Sequence, residues 1–226
     1  MKTNTGLVEY AKAQLGLPYW YGTFGNIATA DLYAYKRNQY PAYYKSWNDF
    51  PTQYGKRVHD CVGLIKGYLW SDTATSKPVY NSKQDVSANG MLSVCKEKGK
   101  IATMPDIPGV LVFMNGHVGV YIGNGEVIEA QGHENGVIKT KLKSRPWVNW
   151  GKCPWITYQD ETQSKPKFSL KVKSGTWNVR TGAGTGCGIV CIVKGGDTYS
   201  ASKVTNGWYF IDSLNGWISP KAVDLM

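Results

Sequence analysis

Long hydrophobic runs are missing from this sequence of 226 residues. No segment is apolar over the roughly 20 residues that are needed to cross a lipid bilayer. The first ten residues also lack the apolar core of a secretory signal peptide. We therefore expect no membrane span and no export signal, so that the protein is made in the cytoplasm.

Residues that bind metals are few and poorly spaced. The chain has three histidines and five cysteines, and the cysteines show no repeated pairing of the zinc-binding type. We expect no metal and no other cofactor. The histidines and cysteines are His59, His117, His133, Cys61, Cys95, Cys153, Cys187 and Cys191.

Acidic residues are scarce relative to basic ones. There are 16 Asp and Glu against 26 Lys and Arg, which gives a formal net charge of +10. Such a charge indicates an anionic partner, either nucleic acid, a membrane surface or an acidic polymer such as a bacterial wall. The basic residues form no consecutive block and no nucleic-acid-binding motif is present, so we expect no nucleic-acid partner.

Hydrophobic periodicity predicts helices first and a sheet afterwards. Helices are predicted over Leu7 to Leu15 and over Ser87 to Lys98, and an irregular surface segment over Asp31 to Tyr54. The apolar run Val110 to Met114 has the length of a strand. The chain therefore combines α and β elements, with the sheet in its later part.

The first stretch that carries chemistry places a cysteine at the start of an apolar helix, within residues 59–70. Asp60 is suited to the N-cap, so Cys61 falls in the first turn. Unpaired backbone N–H groups and the helix dipole favour negative charge there, and hence the nucleophilic thiolate. The alternative is that Cys61 is a small buried apolar residue.

The second stretch is a predicted β-hairpin over residues 116–132, with two alternating runs around a Gly-Asn-Gly turn. A three-residue loop places the apolar side chains on one face, whereas a two-residue loop mixes apolar and charged groups. We therefore predict the longer loop. Its pairs are Ile122 with Glu126, Val120 with Ile128, and Val118 with Ala130.

The other face of this hairpin is predicted to carry His117, Tyr121, Glu129 and Gln131. Gln131 lies across from His117, and Glu129 lies on the diagonal, about 5 to 8 Å away. A carboxylate beside a histidine fixes the orientation of the ring for general-base catalysis. Together with Cys61 this predicts a nucleophile, a base and an orienting group; the alternative is an ordinary polar surface.

Three ordered blocks resemble the motifs of the NlpC-type cell-wall cysteine peptidases. They are residues 18–22 (Pro-Tyr-Trp-Tyr-Gly), 60–64 (Asp-Cys-Val-Gly-Leu) and 116–125, which begins Gly-His-Val-Gly. The resemblance implies a papain-like core and hydrolysis of the γ-D-glutamyl to diamino-acid bond of peptidoglycan. It also implies that Cys61 is the nucleophile and His117 the base, with Glu129 in the third polar position.

Two departures leave the cleaved bond open. Val62 stands where the family commonly has serine, and a glutamate at position 129 resembles amidase and endopeptidase domains of phage lysins. The alternatives are therefore an N-acetylmuramoyl-L-alanine amidase and a non-catalytic wall-binding protein. The backbone N–H of Cys61 is the expected oxyanion donor. The expected substrate-binding residues are Tyr19, Tyr21, Asp60 and Gln131.

The tail after residue 167 alternates short β-rich pieces with glycine turns, which predicts a small barrel. Its motifs are Trp-Asn-Val-Arg-Thr-Gly at 177–182, Asn-Gly-Trp-Tyr at 206–209 and Asn-Gly-Trp-Ile at 215–218. In this order they resemble a bacterial SH3-like domain of the kind appended to wall hydrolases. Trp177, Trp208 and Trp217 are candidate wall-binding residues, although such tryptophans are more often partly core residues.

The sequence thus predicts an α+β, papain-like cysteine peptidase domain over 1–160, a linker over 161–167 and an all-β SH3-like barrel over 168–226. The expected function is that of a peptidoglycan hydrolase of the endolysin type, which reaches the wall after phage-type lysis or by another route. The expected partner is bacterial peptidoglycan, and the oligomeric state is left open.

Overall fold

The computed structural model of the protein describes residues 1–158 and 168–226. The chain divides into two units, Met1–Gln159 and Asp160–Met226, which are described separately. The predicted linker, 161–167, lies outside the described residues. In the described ranges, no helix is long and apolar enough to cross a membrane.

The first unit combines helices with an antiparallel sheet. Its α-helices are α1 (Asn4–Ala13), α2 (Ala30–Gln39), α3 (Pro41–Tyr44), α4 (Cys61–Trp70) and α5 (Ala88–Val94). Its strands are β1 (Phe24–Ile27), β2 (Arg57–His59), β3 (Lys98–Lys100), β4 (Leu111–Met114), β5 (His117–Gly123), β6 (Glu126–Gly132), β7 (Gly136–Lys141) and β8 (Asn149–Gly151). The main sheet has the order β3-β8-β4-β5-β6-β7, and β1 pairs with β2.

Helix α4 is the central element of this unit. It is apolar on most sides, and its buried residues include Leu64 and Ile65. It packs against α1 and against β5 and β6, where Val118, Val120 and other buried residues complete one core. A helix that is hydrophobic nearly all round is stable only when it is enclosed in this way.

The segment predicted to be irregular is largely helical, so that prediction was wrong. It forms α2, α3 and a short 3-10 helix, Phe50–Gln53. The Thr29 side chain caps α2 by accepting a hydrogen bond from the N–H of Leu32 at 3.1 Å. The helices enclose their own aromatic core around Trp20 and Phe50, and weak periodicity does not reveal this kind of packing.

Backbone hydrogen bonds join the residues that flank this helical segment. The backbone N–H of Ala28 donates to the carbonyl of Lys56 at 2.8 Å, and the N–H of Gly55 donates to the carbonyl of Ala28 at 2.9 Å. The two ends of the segment 29–54 are therefore held side by side.

Two other helix predictions differ from the structure at their ends. Helix α1 begins at Asn4 because the side chain of Thr3 accepts a hydrogen bond from the N–H of Gly6. Helix α5 ends at Val94, short of the predicted Lys98. Lys98 and the two residues after it form strand β3, which pairs with β8. Local periodicity does not reveal this pairing.

The hairpin of β5 and β6 has a two-residue loop, so the predicted three-residue loop and the pairing of Ile122 with Glu126 were wrong. Asn124 and Gly125 have φ values of 54° and 69°, as in the tight turns that suit the twist of a hairpin. Glu126 pairs with Gly123, and an irregularity after Tyr121 restores the register.

The predicted pairing of Val120 with Ile128 is confirmed. The predicted apolar face of the hairpin is confirmed too, because its members Val118, Val120, Ile128 and Ala130 are buried in one cluster. The irregularity after Tyr121 is a β-bulge. It keeps the apolar side chains on one face although the loop has only two residues.

The second unit is all β, as predicted. Its strands are β9 (Phe168–Val172), β10 (Thr176–Arg180), β11 (Ile189–Lys194), β12 (Thr198–Thr205), β13 (Trp208–Ile211), β14 (Gly216–Ile218) and β15 (Val223–Leu225). They form one sheet with the order β11-β10-β14-β13-β12-β9-β15. Among the described residues this order does not close, and the SH3-like barrel stays a prediction.

The three tryptophans of the second unit are half-buried. Trp177 packs against the core of the unit and donates from Nε1 to the carbonyl of Lys173 at 3.1 Å. The Trp217 ring lies 5.2 Å from that of Phe210, centroid to centroid. All three tryptophans are thus partly covered by the unit and partly exposed.

Buried His59 makes the stability of the first unit dependent on pH. It is fully buried, and the hydroxyl of Tyr10 lies 3.1 Å from its Nε2. Burial, together with the charge of Arg57, lowers the pKa of His59 to about 3. The unfolded chain therefore takes up a proton below about pH 6.5, whereas the folded chain takes it up only near pH 3.

Acidification from pH 6.5 towards 4 should thus lower the free energy of unfolding by about 1.4 kcal/mol per pH unit through this group. Urea denaturation at several pH values measures the free energy of unfolding. Its slope against pH should be smaller in His59→Gln than in the wild type by about 1.4 kcal/mol per pH unit. Equal slopes for the two proteins would show that His59 is not the group responsible.

Candidate active site

The start of α4 is fixed by Asp60, which caps the helix as predicted. One carboxylate oxygen accepts a hydrogen bond from the N–H of Gly63 at 2.6 Å. The other accepts one from the N–H of Gly22 at 2.8 Å. Asp60 therefore connects the aromatic loop of the first motif to the helix on which Cys61 lies.

The fold brings Cys61 to the beginning of β5. Its Sγ lies 3.9 Å from the carbonyl oxygen of Gly116, and the backbone N–H of Val118 acts on the pKa of the thiol as a hydrogen-bond donor. These two residues flank His117. The cysteine and histidine motifs, far apart in sequence, thus meet at one place.

The surroundings of Cys61 act on the pKa of its thiol in opposite directions. Burial raises the pKa of its thiol to about 12, and the negative charge of Asp60 contributes to the rise. Backbone N–H groups at the helix start lower the pKa but do not compensate. Desolvation thus opposes the effect of the helix terminus on the thiol, and the thiolate at the helix start stays a prediction.

His117 is oriented by a buried carboxylate. Its Nε2 lies 2.7 Å from Oε2 of Glu129, whose side chain is fully buried. Glu129 also accepts hydrogen bonds from Thr140 Oγ1 at 2.7 Å and from Arg145 Nη2 at 3.1 Å. The diagonal contact between His117 and Glu129 is the one that the hairpin register predicts.

Glu129 is ionised at neutral pH. Burial raises the pKa of this carboxyl group, but hydrogen bonds from His117 and Thr140 and the charge of Arg145 outweigh burial, and the pKa lies below its ordinary value. An ionised, fully bonded carboxylate is a fixed acceptor for the imidazole N–H.

The ring of Trp147 covers His117. The two rings are nearly parallel, with centroids 5.7 Å apart and an interplanar angle of 13°. Gly119 makes room for this tryptophan, since a Cβ at that position would lie 2.6 Å from Val127 and 3.1 Å from Trp147. The histidine is therefore held from the side as well as through its nitrogen.

Two neighbouring cavities contain the predicted substrate-binding residues. A cavity of about 410 Å³ is lined by Tyr19, Tyr21 and Gln131, among others. A groove of about 700 Å³ is lined by Tyr21, Asp60 and Cys61, among others. Burial raises the pKa of Tyr19, and the negative charge of Asp60 adds to the rise. Within the described ranges, no group of His, Cys, Asp and Glu is arranged to hold a metal ion.

Residues 49–154 match the sequence model of the NlpC/P60 family. This part of the chain is therefore similar to the NlpC/P60 family. The matched range includes Cys61, His117 and Glu129, whereas the aromatic loop with Tyr19 and Tyr21 precedes it. No curated protein sequence matches the chain.

Several solved structures resemble this chain. NlpC2 from Trichomonas vaginalis has 16% identity and a TM-score of 0.42 over 67% of this chain and 47% of its own. The P60 domain of an antigen from M. avium subspecies paratuberculosis has 18% identity and a TM-score of 0.40 over 66% and 96%. The peptidoglycan hydrolase RipB from Mycobacterium tuberculosis has 19% identity and a TM-score of 0.39 over 69% and 67%. The chain thus spans about half the length of the Trichomonas structure.

Some residues around the NlpC/P60 site were not predicted. Thr140, Arg145 and Trp147 come from β7 and the segment after it, and only the pairing of β6 with β7 brings them to Glu129 and His117. Because side chains alternate between the two faces of a strand, the sequence of β7 could have suggested that Thr140 lies on the face of Glu129. Outside the NlpC/P60 match, Tyr43 of α3 stacks on Tyr21 with centroids 3.6 Å apart and extends the wall between the two cavities.

Proposed function

We propose that this protein is a cysteine peptidase that hydrolyses bacterial peptidoglycan. In this proposal Cys61 is the nucleophile, His117 the general base and Glu129 the group that orients it. The observation that carries it is the contact of His117, at the start of β5, with the buried Glu129 of β6. The carbonyl oxygen of Gly116, the residue before His117, lies 3.9 Å from the sulfur of Cys61. The NlpC/P60 match of residues 49–154 supports a cell-wall substrate.

The proposed order of proton transfers follows from which ring nitrogen of His117 is hydrogen-bonded to Glu129. Because Nε2 donates to Glu129, Nδ1 is the ring nitrogen that takes the thiol proton. The resulting thiolate attacks the carbonyl carbon of a stem-peptide amide, and His117 returns the proton to the leaving amine as the C–N bond breaks. Water, deprotonated by His117, then hydrolyses the thioester and restores the thiol.

The raised pKa of Cys61 fits this order of events. A raised pKa favours the protonated thiol, so in this proposal the nucleophile forms when His117 removes the proton. The backbone N–H of Cys61 is the proposed oxyanion donor, since a nucleophile at a helix start brings this group with it. Tyr19, Tyr21, Asp60 and Gln131 are the proposed substrate contacts.

The proposed bond is the one between γ-D-glutamate and the diamino acid of the stem peptide. Mass spectrometry of purified peptidoglycan after digestion tests this directly, with a digest without protein as the control. Fragments that end at D-glutamate are expected. Free lactyl termini would identify an amidase instead, and the absence of new fragments with correctly folded protein would overturn the proposed hydrolysis.

The second unit is proposed to be an SH3-like wall-binding domain, with Trp177, Trp208 and Trp217 as contact residues. Their partly exposed rings suit stacking on sugars or peptides. The net charge of +10 favours retention on an anionic wall. The whole protein would then act as an endolysin-type enzyme that reaches the wall after phage-type lysis or by another route.

Glu129→Gln is expected to lower kcat by about 10²-fold, because a neutral amide no longer stabilises the imidazolium that forms during the reaction. KM should change little, since Glu129 is fully buried and does not reach the substrate. Steady-state kinetics on a defined stem peptide measures both constants. A rise in KM with unchanged kcat would contradict the orienting role.

A further inference from the structure

The groove that contains Cys61 also contains two nearly buried lysines. Lys36 of α2 is 8% exposed and Lys66 of α4 is 7% exposed, and both line the groove. The ammonium group of Lys66 is paired with the carboxylate of Asp85. Its charge is therefore neutralised within the protein, as is usual for a buried cation.

Lys36 lacks such a partner. Its Nζ donates to the amide oxygen of Gln39 at 3.0 Å and lies 5.2 Å and 5.4 Å from the ring centroids of Tyr35 and Tyr40. In the described part of the chain it makes no ion pair. A buried ammonium whose direct contacts are a neutral amide and aromatic rings gains much from an added anion.

The surroundings of Lys36 agree with a missing counterion. Burial lowers the pKa of Lys36, and the charges of Asp60 and Asp85 reduce this effect without cancelling it. The cationic form is thus held at a cost in free energy. A carboxylate that enters the groove removes part of that cost.

The position of Lys36 connects it to the nucleophile. A Cβ built on Gly22 would lie 3.4 Å from Lys36 Nζ, and the N–H of Gly22 donates to Asp60, the residue before Cys61. The ammonium group therefore lies on the wall of the groove that adjoins the helix start. This wall precedes the range that matches the NlpC/P60 family, residues 49–154.

We propose that Lys36 binds a carboxylate of the substrate, the α-carboxylate that a γ-linked D-glutamyl residue leaves free. This inference rests on the proposed function, because a γ-linkage uses the side-chain carboxyl group for the scissile amide. The free α-carboxylate then lies about 5 Å from the scissile carbonyl carbon by covalent geometry. When that carboxylate is amidated, the ion pair with Lys36 is lost.

The test uses two synthetic stem peptides that differ only in this group, one with the free α-carboxylate and one with the carboxamide. For the wild type, kcat/KM is expected to be at least about tenfold higher on the carboxylate peptide, as for a charge-assisted hydrogen bond. In Lys36→Met the ratio should fall to within about twofold of one. Lys36→Arg, which keeps the charge, should restore the preference.

Lys45→Met is the matched control, because Lys45 is exposed and follows α3 on the same helical segment. It should keep the wild-type ratio. An unchanged ratio in Lys36→Met would overturn the proposal, and circular dichroism verifies that each variant is folded. If Lys36→Met fails to fold, Lys36→Gln takes its place with the same expected ratio.

Calorimetric binding of the two peptides to Cys61→Ala separates this proposal from the proposed function. Tighter binding of the carboxylate peptide by at least about tenfold, lost when Lys36→Met is added, would support the Lys36 site even if the wild type cleaves neither peptide. Equal binding of both peptides would overturn the Lys36 site, even if the wild type cleaves both.

Discussion

Replacing Cys61 with alanine is expected to lower the rate of stem-peptide hydrolysis by at least about 10⁴-fold. The fold places this sulfur against the start of β5, beside His117. Water is a much weaker nucleophile than a thiolate formed in place, so the oriented imidazole alone cannot sustain the reaction. Release of new amino groups from purified peptidoglycan, or turnover of a defined peptide, measures the loss.

Cys191→Ala is the matched control for this experiment. Cys191 is also a half-buried free cysteine, but it lies on β11 in the second unit. Its replacement should leave the rate on a soluble stem peptide within about twofold of wild type. Retention of more than a tenth of wild-type activity by Cys61→Ala would refute its role as nucleophile.

Gly63→Ala is expected to lower the free energy of unfolding by at least about 4 kcal/mol, although alanine favours a helix by about 1 kcal/mol over glycine. A Cβ at this position would lie 1.8 Å from the carbonyl oxygen of Thr23 and 2.8 Å from Oδ1 of Asp60. The first contact is with backbone, so relief requires that the loop move away from α4. Urea denaturation gives the change, and the yield of soluble protein supports it.

Gly186→Ala serves as the comparison. Among the described residues, no heavy atom would lie within 4 Å of a Cβ at Gly186, so its stability should stay within about 0.5 kcal/mol of wild type. A loss of less than about 1 kcal/mol in Gly63→Ala would mean that the loop at Thr23 yields easily. In that case Asp60 would not hold loop and helix together as tightly as the two hydrogen bonds indicate.

The start of α4 could be predicted because its signals are local. Asp60 caps the helix through its neighbour Gly63, and the apolar run that follows needs no distant partner to be recognised. The same holds for the pairing of Val120 with Ile128, since alternation on both strands permits few registers. These two elements carry the cysteine and the histidine, and most of the candidate site follows from them.

The surroundings of those residues could not be predicted in the same way. Arg145 reaches Glu129 only through the course of the chain after β7, and no spacing in the sequence specifies that contact. The raised pKa of Cys61 depends on how completely the neighbouring elements exclude water. The helices α2 and α3 depend on the aromatic core around Trp20, which forms only once distant rings meet.

The adjacent ends of the segment 29–54 bear on how such enzymes can be altered. Because Ala28 is hydrogen-bonded to both Gly55 and Lys56, the two ends of the segment lie side by side. A replacement segment must therefore match this junction and keep the contacts with Trp20, Tyr21 and His133. Cys61, His117 and Glu129 all lie outside it. Under the proposed function, libraries built in this segment would vary the groove wall around Lys36 while the proposed catalytic residues keep their spacing.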